Sequence, residues 1–164
     1  MREVDGLYRR PFLNVSREVV RASVADLDTY DDPHNEDPRF SRVRVRSVVL
    51  PTLETELGPG IAEALARTAN MLRDDADALD AIAAGSKTTQ VDELAGLPAA
   101  IRTRVLRALA IDAGCTVNDL TREHVLAVDA LITRWHGQGP INLPGSINVT
   151  RAHGKLMFNK APKE

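Results

Sequence analysis

Between residues 61 and 84, apolar side chains recur at steps of three and four: Ile61, Leu65, Ala69, Leu72, Ala76, Leu79 and Ala83. This spacing keeps them on one face of an α-helix and does not fit the alternation of a half-buried strand. Aromatic residues make up only 4% of the chain, so the core has to be built from Ala, Leu, Val and Ile. We therefore expect packed helices.

Capping residues and apolar spacing predict further helices. Ser16 is a suitable N-cap for a helix to about Leu27, and Thr121 for a helix to about Trp135 with Val125, Val128, Leu131 and Ile132 inside. Residues 91–97 lead to a helix that Pro98 starts at its first position and Gly114 ends. Its expected buried side consists of Ile101, Val105, Ala108 and Leu109.

The two ends of the chain have a different pattern. Residues 6–11 are predicted to form a loop, and residues 142–145 a turn. After that turn, apolar residues alternate on both sides of His153-Gly154, which is typical of a β-hairpin. The predicted fold is mainly α, a helical bundle with a small C-terminal β-hairpin.

Composition excludes several kinds of site. The single cysteine, Cys115, allows no disulfide framework or Cys-based zinc site, and the four histidines lack metal-ligand spacing. The net charge of −2 gives no whole-chain argument for nucleic-acid binding. No apolar run approaches the length of a membrane span or a secretory signal, so we expect a cytoplasmic protein that makes no contact with a membrane.

Charge is concentrated in one segment. An acidic, proline-rich loop over residues 28–38 is followed by RFSRVRVR, residues 39–46, which has four arginines and no acid. On a helix, Arg39, Arg42 and Arg46 share a face; on a strand, Arg42, Arg44 and Arg46 do. Guanidinium groups suit phosphate because they stay charged and offer paired donors. A solvated face with surface salt bridges is the alternative.

Three motifs follow one another along the chain: Arg10-Pro11-Phe12-Leu13, then NEDPRFSRVRVR (residues 35–46) with Val49-Leu50-Pro51 after it, and finally Leu143-Pro144-Gly145 before the small hairpin. In this order they resemble the tRNA(Ile)-lysidine synthetase family. The first is similar to the R-P-L-L element of that family, the second to its N-x-D-x-x-(Y/F)-x-R-x-x-(I/V)-R…LP segment, and the third to its ending.

Members of that family use ATP to activate the wobble cytidine of an isoleucine tRNA and join free lysine to it. The members hold ATP on an S-G-G-x-D-S loop. This sequence lacks that loop, and it also contains no P-loop or G-x-G-x-x-G run. The resemblance implies that residues 1–50 end a catalytic domain and that residues 51–164 form a helical tRNA-binding region closed by a hairpin. It further implies a fragment or truncated carboxyl-terminal half, inactive alone.

The resemblance also assigns residues. It places four motif residues in the catalytic cleft: Asn35, Asp37, Arg42 and Arg46. The two arginines are expected to bind phosphate or a substrate carboxylate there. The positions expected to contact tRNA are Arg10, Arg39, Arg44, Arg151 and Lys155. The residues alone leave open that Asn35 and Asp37 only cap a loop. The competing hypothesis is that the chain is a stand-alone helical protein-interaction or regulatory module. Such a module would expose an apolar patch or form a homodimer.

Overall fold

The computed structural model describes residues 3–161 and divides into two compact units between Ala62 and Glu63. Helices make up most of the chain, and a three-stranded antiparallel sheet lies near its carboxyl end. The predicted fold class is thereby confirmed. We call residues 3–62 the amino-terminal unit and residues 63–161 the carboxyl-terminal unit.

The amino-terminal unit begins with a short antiparallel ladder. Strands β1 (Val4–Asp5) and β2 (Tyr8–Arg9) pair around a turn at Gly6, and Arg10 N donates to Glu3 O at 2.8 Å. The prediction of a loop from Gly6 to Pro11 is therefore wrong for Tyr8 and Arg9. A ladder this short has too few alternating apolar residues to be recognised from sequence.

Helix α1 (Arg17–Ala22) starts where its cap predicts but ends early. The Ser16 side chain accepts a hydrogen bond from Val19 N at 3.3 Å, as an N-cap does. The helix stops at Ala22, although the apolar spacing predicts about Leu27. Leu27 is 61% exposed, so burial does not hold a further turn in place.

A continuous helical segment follows the acidic loop and consists of α2 (Ser41–Arg44), a π turn (Val45–Val49) and α3 (Leu50–Leu57). The strand alternative for the arginine-rich segment is therefore wrong. Just before Pro51 the helix forms a π turn, in which Leu50 N donates to Val45 O. Because proline has no N–H and its ring clashes with the carbonyl four residues earlier, the ladder widens just before it.

Few apolar side chains of the amino-terminal unit are buried. Among its described residues only Val43 belongs to the buried hydrophobic set. The large apolar residues that remain more than half exposed there include Leu7, Tyr8, Phe12, Val48 and Leu57. Burial of apolar surface is the main driving force of folding. The amino-terminal unit therefore gains little stabilisation from the burial of its own apolar side chains.

Helix α4 (Ile61–Gly85) confirms the most regular pattern in the sequence. Its first turn is capped by Glu54, whose carboxylate accepts hydrogen bonds from Gly60 N at 2.7 Å and Ala62 N at 2.8 Å. The apolar stripe of this helix is not all part of the core, because Leu65 and Leu72 are 53% and 62% exposed. Only Ala83 of this helix is buried.

The carboxyl-terminal unit builds its core from α5 (Val91–Gly96), α6 (Ala99–Asp112), α7 (Arg122–Thr133) and the sheet. The four predicted inward residues of α7 are all buried. On α6 the predicted face is partly wrong: Ala108 is exposed, while Arg102 and Leu106 are buried. Pro98 is the N-cap of α6 and not its first helical residue.

The predicted hairpin is part of a three-stranded sheet, ordered β3 (Ile141–Leu143), β4 (Ile147–Ala152), β5 (Lys155–Lys160). His153 and Gly154 have φ of 50° and 75° and connect β4 to β5, as a two-residue hairpin turn requires. The turn expected at 142–145 is displaced, because Asn142 and Leu143 pair with β4. Leu143, Ile147, Val149 and Leu156 face the core.

Candidate nucleic-acid interface

The acidic turn that precedes the arginines is held by its own aspartates. Asp32 Oδ1 accepts hydrogen bonds from His34 N and lies 2.9 Å from His34 Nδ1, and these contacts lower the Asp32 pKa. The paired donors of Arg39 hold the Asp37 pKa below its ordinary value, with Nη2 2.6 Å and Nε 2.8 Å from Oδ2. Asp37 Oδ1 also accepts from Arg39 N at 2.9 Å.

Arg44 is bound to the same turn. Its Nη1 donates to Pro38 O at 2.7 Å and Arg39 O at 3.0 Å, and its Nη2 donates to Ser41 Oγ at 3.0 Å. Arg39 itself precedes the helix, which begins at Ser41. The predicted row of Arg39, Arg42 and Arg46 on one helical face is therefore wrong, since Arg39 lies in the turn.

Arg42 and Arg46 are the two arginines of this segment whose guanidinium groups have no hydrogen-bond or ion-pair partner within residues 3–161. Arg42 lies 4.7 Å from the centroid of the Phe40 ring, which stacks against it. Both arginines are exposed and lie four residues apart in the helical segment. Asn35 is also exposed, at the end of a 3-10 turn over Pro33–Asn35, and Arg10 lies 5.9 Å from the Tyr8 ring.

Arg151 and Lys155 do not form a common surface in the carboxyl-terminal unit. Arg151 pairs with the buried Leu156, so its side chain is on the core face of β4, where Nη1 donates to Leu131 O at 2.9 Å. Its guanidinium lies 5.2 Å from the Trp135 ring, which is 40% exposed. Lys155 is exposed and precedes Leu156 by one residue, so it faces the opposite side of the sheet.

A basic groove between α6 and α7 is absent from the sequence-based predictions. It encloses about 240 Å³ and is lined by Thr103, Arg104, Arg107, Thr121, Arg122 and Val125. The signal in the sequence is the three-residue step between Arg104 and Arg107, together with Arg122 directly after the predicted cap Thr121. A total charge near zero conceals such a local concentration.

Metal-binding clusters and membrane-spanning helices are both absent from residues 3–161. No group of three or more His, Cys, Asp or Glu side chains there has the arrangement of a metal site. None of the helices in that range is long and apolar enough to cross a membrane. Cys115 is buried, and burial raises the pKa of its thiol.

Residues 90–157 match the family model described as the TilS substrate binding domain. The chain contains a TilS substrate binding domain. The matched residues include α5, α6 and α7, the groove between α6 and α7, and the sheet except for the last three residues of β5. The acidic turn and the helical segment with Arg42 and Arg46 lie outside the match.

Similarity extends beyond that domain. The chain is 52% identical to the tRNA(Ile)-lysidine synthase of Thermobifida fusca over 94% of the chain and 51% of that relative. It is 51% identical to the synthase of Leifsonia xyli over 94% of the chain and 50% of the relative, and 46% identical to that of Streptomyces coelicolor over 94% and 47%. The predicted resemblance is confirmed, and the chain spans about half the length of the curated relatives it matches.

Proposed function

We propose that this chain is the carboxyl-terminal, tRNA-binding part of an ATP-dependent tRNA(Ile)-lysidine synthase. The match of residues 90–157 to the TilS substrate binding domain carries this proposal, together with the similarity of nearly the whole chain to synthases of that name. The complete enzyme would act in the cytoplasm on isoleucine tRNA, free lysine and ATP. Its ATP-binding loop lies outside these 164 residues.

In this proposal residues 1–50 complete the catalytic domain. Arg42 and Arg46 bind a phosphate or a substrate carboxylate in the cleft, because neither guanidinium donates a hydrogen bond to a carboxylate of the described residues, although the charge of Arg42 is near enough to Asp32 to help lower the pKa of that group. Asp37 shapes the preceding turn through its bonds to Arg39, and Asn35 is presented at the surface of that turn. The apolar residues that the amino-terminal unit leaves exposed supply a surface for packing against the rest of such a domain.

The tRNA contacts are proposed along the remaining basic residues. Arg10, Arg39, Arg44 and Lys155 offer charge at the surface or its margin, and Arg39 and Arg44 are held in place by their local bonds. Arg151 is fixed by Leu131 O and by Trp135. A guanidinium held in one orientation loses less conformational entropy when it binds phosphate.

The proposal is tested by filter binding of the 164-residue chain to isoleucine tRNA at two ionic strengths. Because neutralised phosphates release counterions, the affinity should fall steeply as salt rises. No binding of this tRNA at low salt would contradict the proposal.

The role of Arg42 needs the complete enzyme. We expect Arg42→Ala to lower lysidine formation by about 100-fold or more, the size of effect known for lost stabilisation of charge in a transition state. Arg21→Ala is a matched control, since Arg21 is an exposed arginine of α1. Equal activity of the two variants would remove Arg42 from the cleft.

A second function has one observation in its favour. Leu65 and Leu72 lie seven residues apart on one face of α4 and are both more than half exposed. This is the apolar surface expected of a protein-interaction module or of a homodimer. Light scattering with and without tRNA tests it: a stable dimer that is indifferent to tRNA would favour this function over the first.

A further inference from the structure

The groove between α6 and α7 has a charge that the carboxyl-terminal unit does not neutralise. Three of its six lining residues are arginines, two are threonines, and none is acidic. It opens to solvent, and its volume of about 240 Å³ is sufficient for a phosphate group with its ester oxygens. The arginine and threonine side chains among its lining residues can donate hydrogen bonds to an anion.

Arg107 provides the fixed charge of this groove. Its Nη1 donates to Leu120 O at 2.7 Å and its Nη2 to Val117 O at 3.3 Å. No carboxylate pairs with it among residues 3–161. A guanidinium has more donors than these two bonds use, so Arg107 is oriented by neutral carbonyl groups while its charge and remaining N–H groups stay available.

The other two arginines differ in how far they are compensated. Arg104 Nε lies 2.7 Å from Asp80 Oδ1, and its Nη1 donates to Ala100 O at 2.9 Å. Arg122 has no hydrogen-bond or ion-pair partner in the described part of the chain. The acidic residue nearest to Arg122 in the sequence is Glu123, whose side chain contacts groups at the start of α7.

The Glu123 carboxylate interacts with its own N–H and with the Thr121 hydroxyl, and both contacts lower its pKa. This carboxylate satisfies the start of α7 and offsets part of the local positive charge. With Asp80 and Glu123 set against three arginines, the neighbourhood of the groove keeps a net positive charge. The half-buried Arg107 has no carboxylate partner, and the charge of the exposed Arg122 is offset only in part, by Glu123, whose pKa it helps to lower.

We propose that this groove binds a backbone phosphate of the tRNA, with Arg107 as the fixed ligand and Arg122 as the mobile one. This inference rests on the proposed tRNA-binding function and adds the place and chemistry of one contact. A phosphate contact positions the RNA and carries no base information. Loss of either arginine should therefore weaken binding to different tRNA sequences equally.

The test compares Arg122→Gln and Arg107→Gln with the wild-type chain in filter-binding titrations across salt concentration. Arg67→Gln is the matched control, because Arg67 is an exposed arginine of α4 that does not line the groove. We expect each groove variant to bind isoleucine tRNA about 3- to 10-fold more weakly at low salt. The slope of log affinity against log salt should fall in magnitude by about 1, as for the loss of one phosphate contact.

Arg122→Gln decides the matter if Arg107→Gln does not fold, since Arg122 is exposed and makes no bond that folding requires. A second tRNA of unrelated sequence should show the same loss. If wild type binds while Arg122→Gln keeps the affinity and salt slope of Arg67→Gln, the groove assignment is overturned and the proposed function stands. If wild type itself binds no tRNA at low salt, the proposed function and the groove assignment fall together.

Discussion

Replacing Arg102 with Met should destabilise the carboxyl-terminal unit far more than a typical surface substitution. Arg102 joins α6 to α7 through Asp129, with Nε 2.6 Å from Oδ1, and its Nη1 donates to Leu97 O at 2.8 Å. The side chains of the pair are only 11% and 14% exposed. Arg102→Met retains most of the apolar stem but leaves the Asp129 carboxylate without its partner in a largely dry site.

The expected loss is about 3 kcal/mol, the lower end of the range for breaking a buried ion pair. For a unit of roughly 100 residues, this loss would lower Tm by about 12–24 °C. Arg104→Met is a matched control, because Arg104 is on the same helix and lies 2.7 Å from Asp80 Oδ1, but its pair is 31% and 60% exposed. An exposed pair of this kind should contribute at most about 1 kcal/mol.

Urea denaturation followed by circular dichroism measures both variants under one set of conditions. The double variant Arg102→Met with Asp129→Leu should recover most of the loss, since two apolar side chains leave no buried charge unpaired. If Arg102→Met loses no more stability than Arg104→Met, burial does not set the strength of this pair and the reasoning is refuted.

Three further outcomes follow from particular contacts. Gly145→Ala should lower the free energy of unfolding by about 1–3 kcal/mol. Gly145 has φ +79°, and a Cβ there would lie 2.7 Å from Gly114 O. An unchanged urea midpoint would show that this turn accommodates the Cβ without strain. Glu54→Gln should remove the pH dependence of stability at the start of α4. Hydrogen bonds from Ala62 N and Gly60 N lower the pKa of Glu54 in the folded chain. The stabilisation by this carboxylate is therefore complete above its pKa in the unfolded chain, about 4.3, and is lost as the pH falls through its lower pKa in the folded chain. Amide exchange at the start of α4 measures this, and equal acid sensitivity of variant and wild type would contradict it. Arg151→Ala should alter the near-ultraviolet dichroism of Trp135, and an identical spectrum would count against their stacking.

Several elements could be predicted because their signals are local. The recurrence over 61–84 and the cap at Thr121 located two helices, since capping and periodicity depend on residues within about one turn of each other. His153-Gly154 located the β4–β5 turn for the same reason. Motif order along the chain indicated the family that the comparisons then confirmed.

The candidate phosphate groove depends on contacts between residues that are distant in the sequence. Arg102, Arg104 and Arg107 are three similar arginines in the sequence of one helix, yet one is in the core, one pairs with Asp80 and one is held by carbonyl groups. Each partner comes from another element, so the helix pattern alone does not distinguish these roles. The short strand β3 was missed for a comparable reason, because it is defined by its pairing with β4.

The sequence by itself determined where most helices begin, where the last hairpin turns and which family the motifs resemble. Only the tertiary structure decided which residues are buried: it left Leu65 and Leu72 of the regular α4 stripe exposed and buried Arg102 against Asp129, 27 residues away. The physical reason is the distance along the sequence over which each effect acts. Helix and turn propensities are set by neighbours along the chain, whereas the burial of a side chain and the neutralisation of its charge depend on residues distant in sequence that the fold brings beside it.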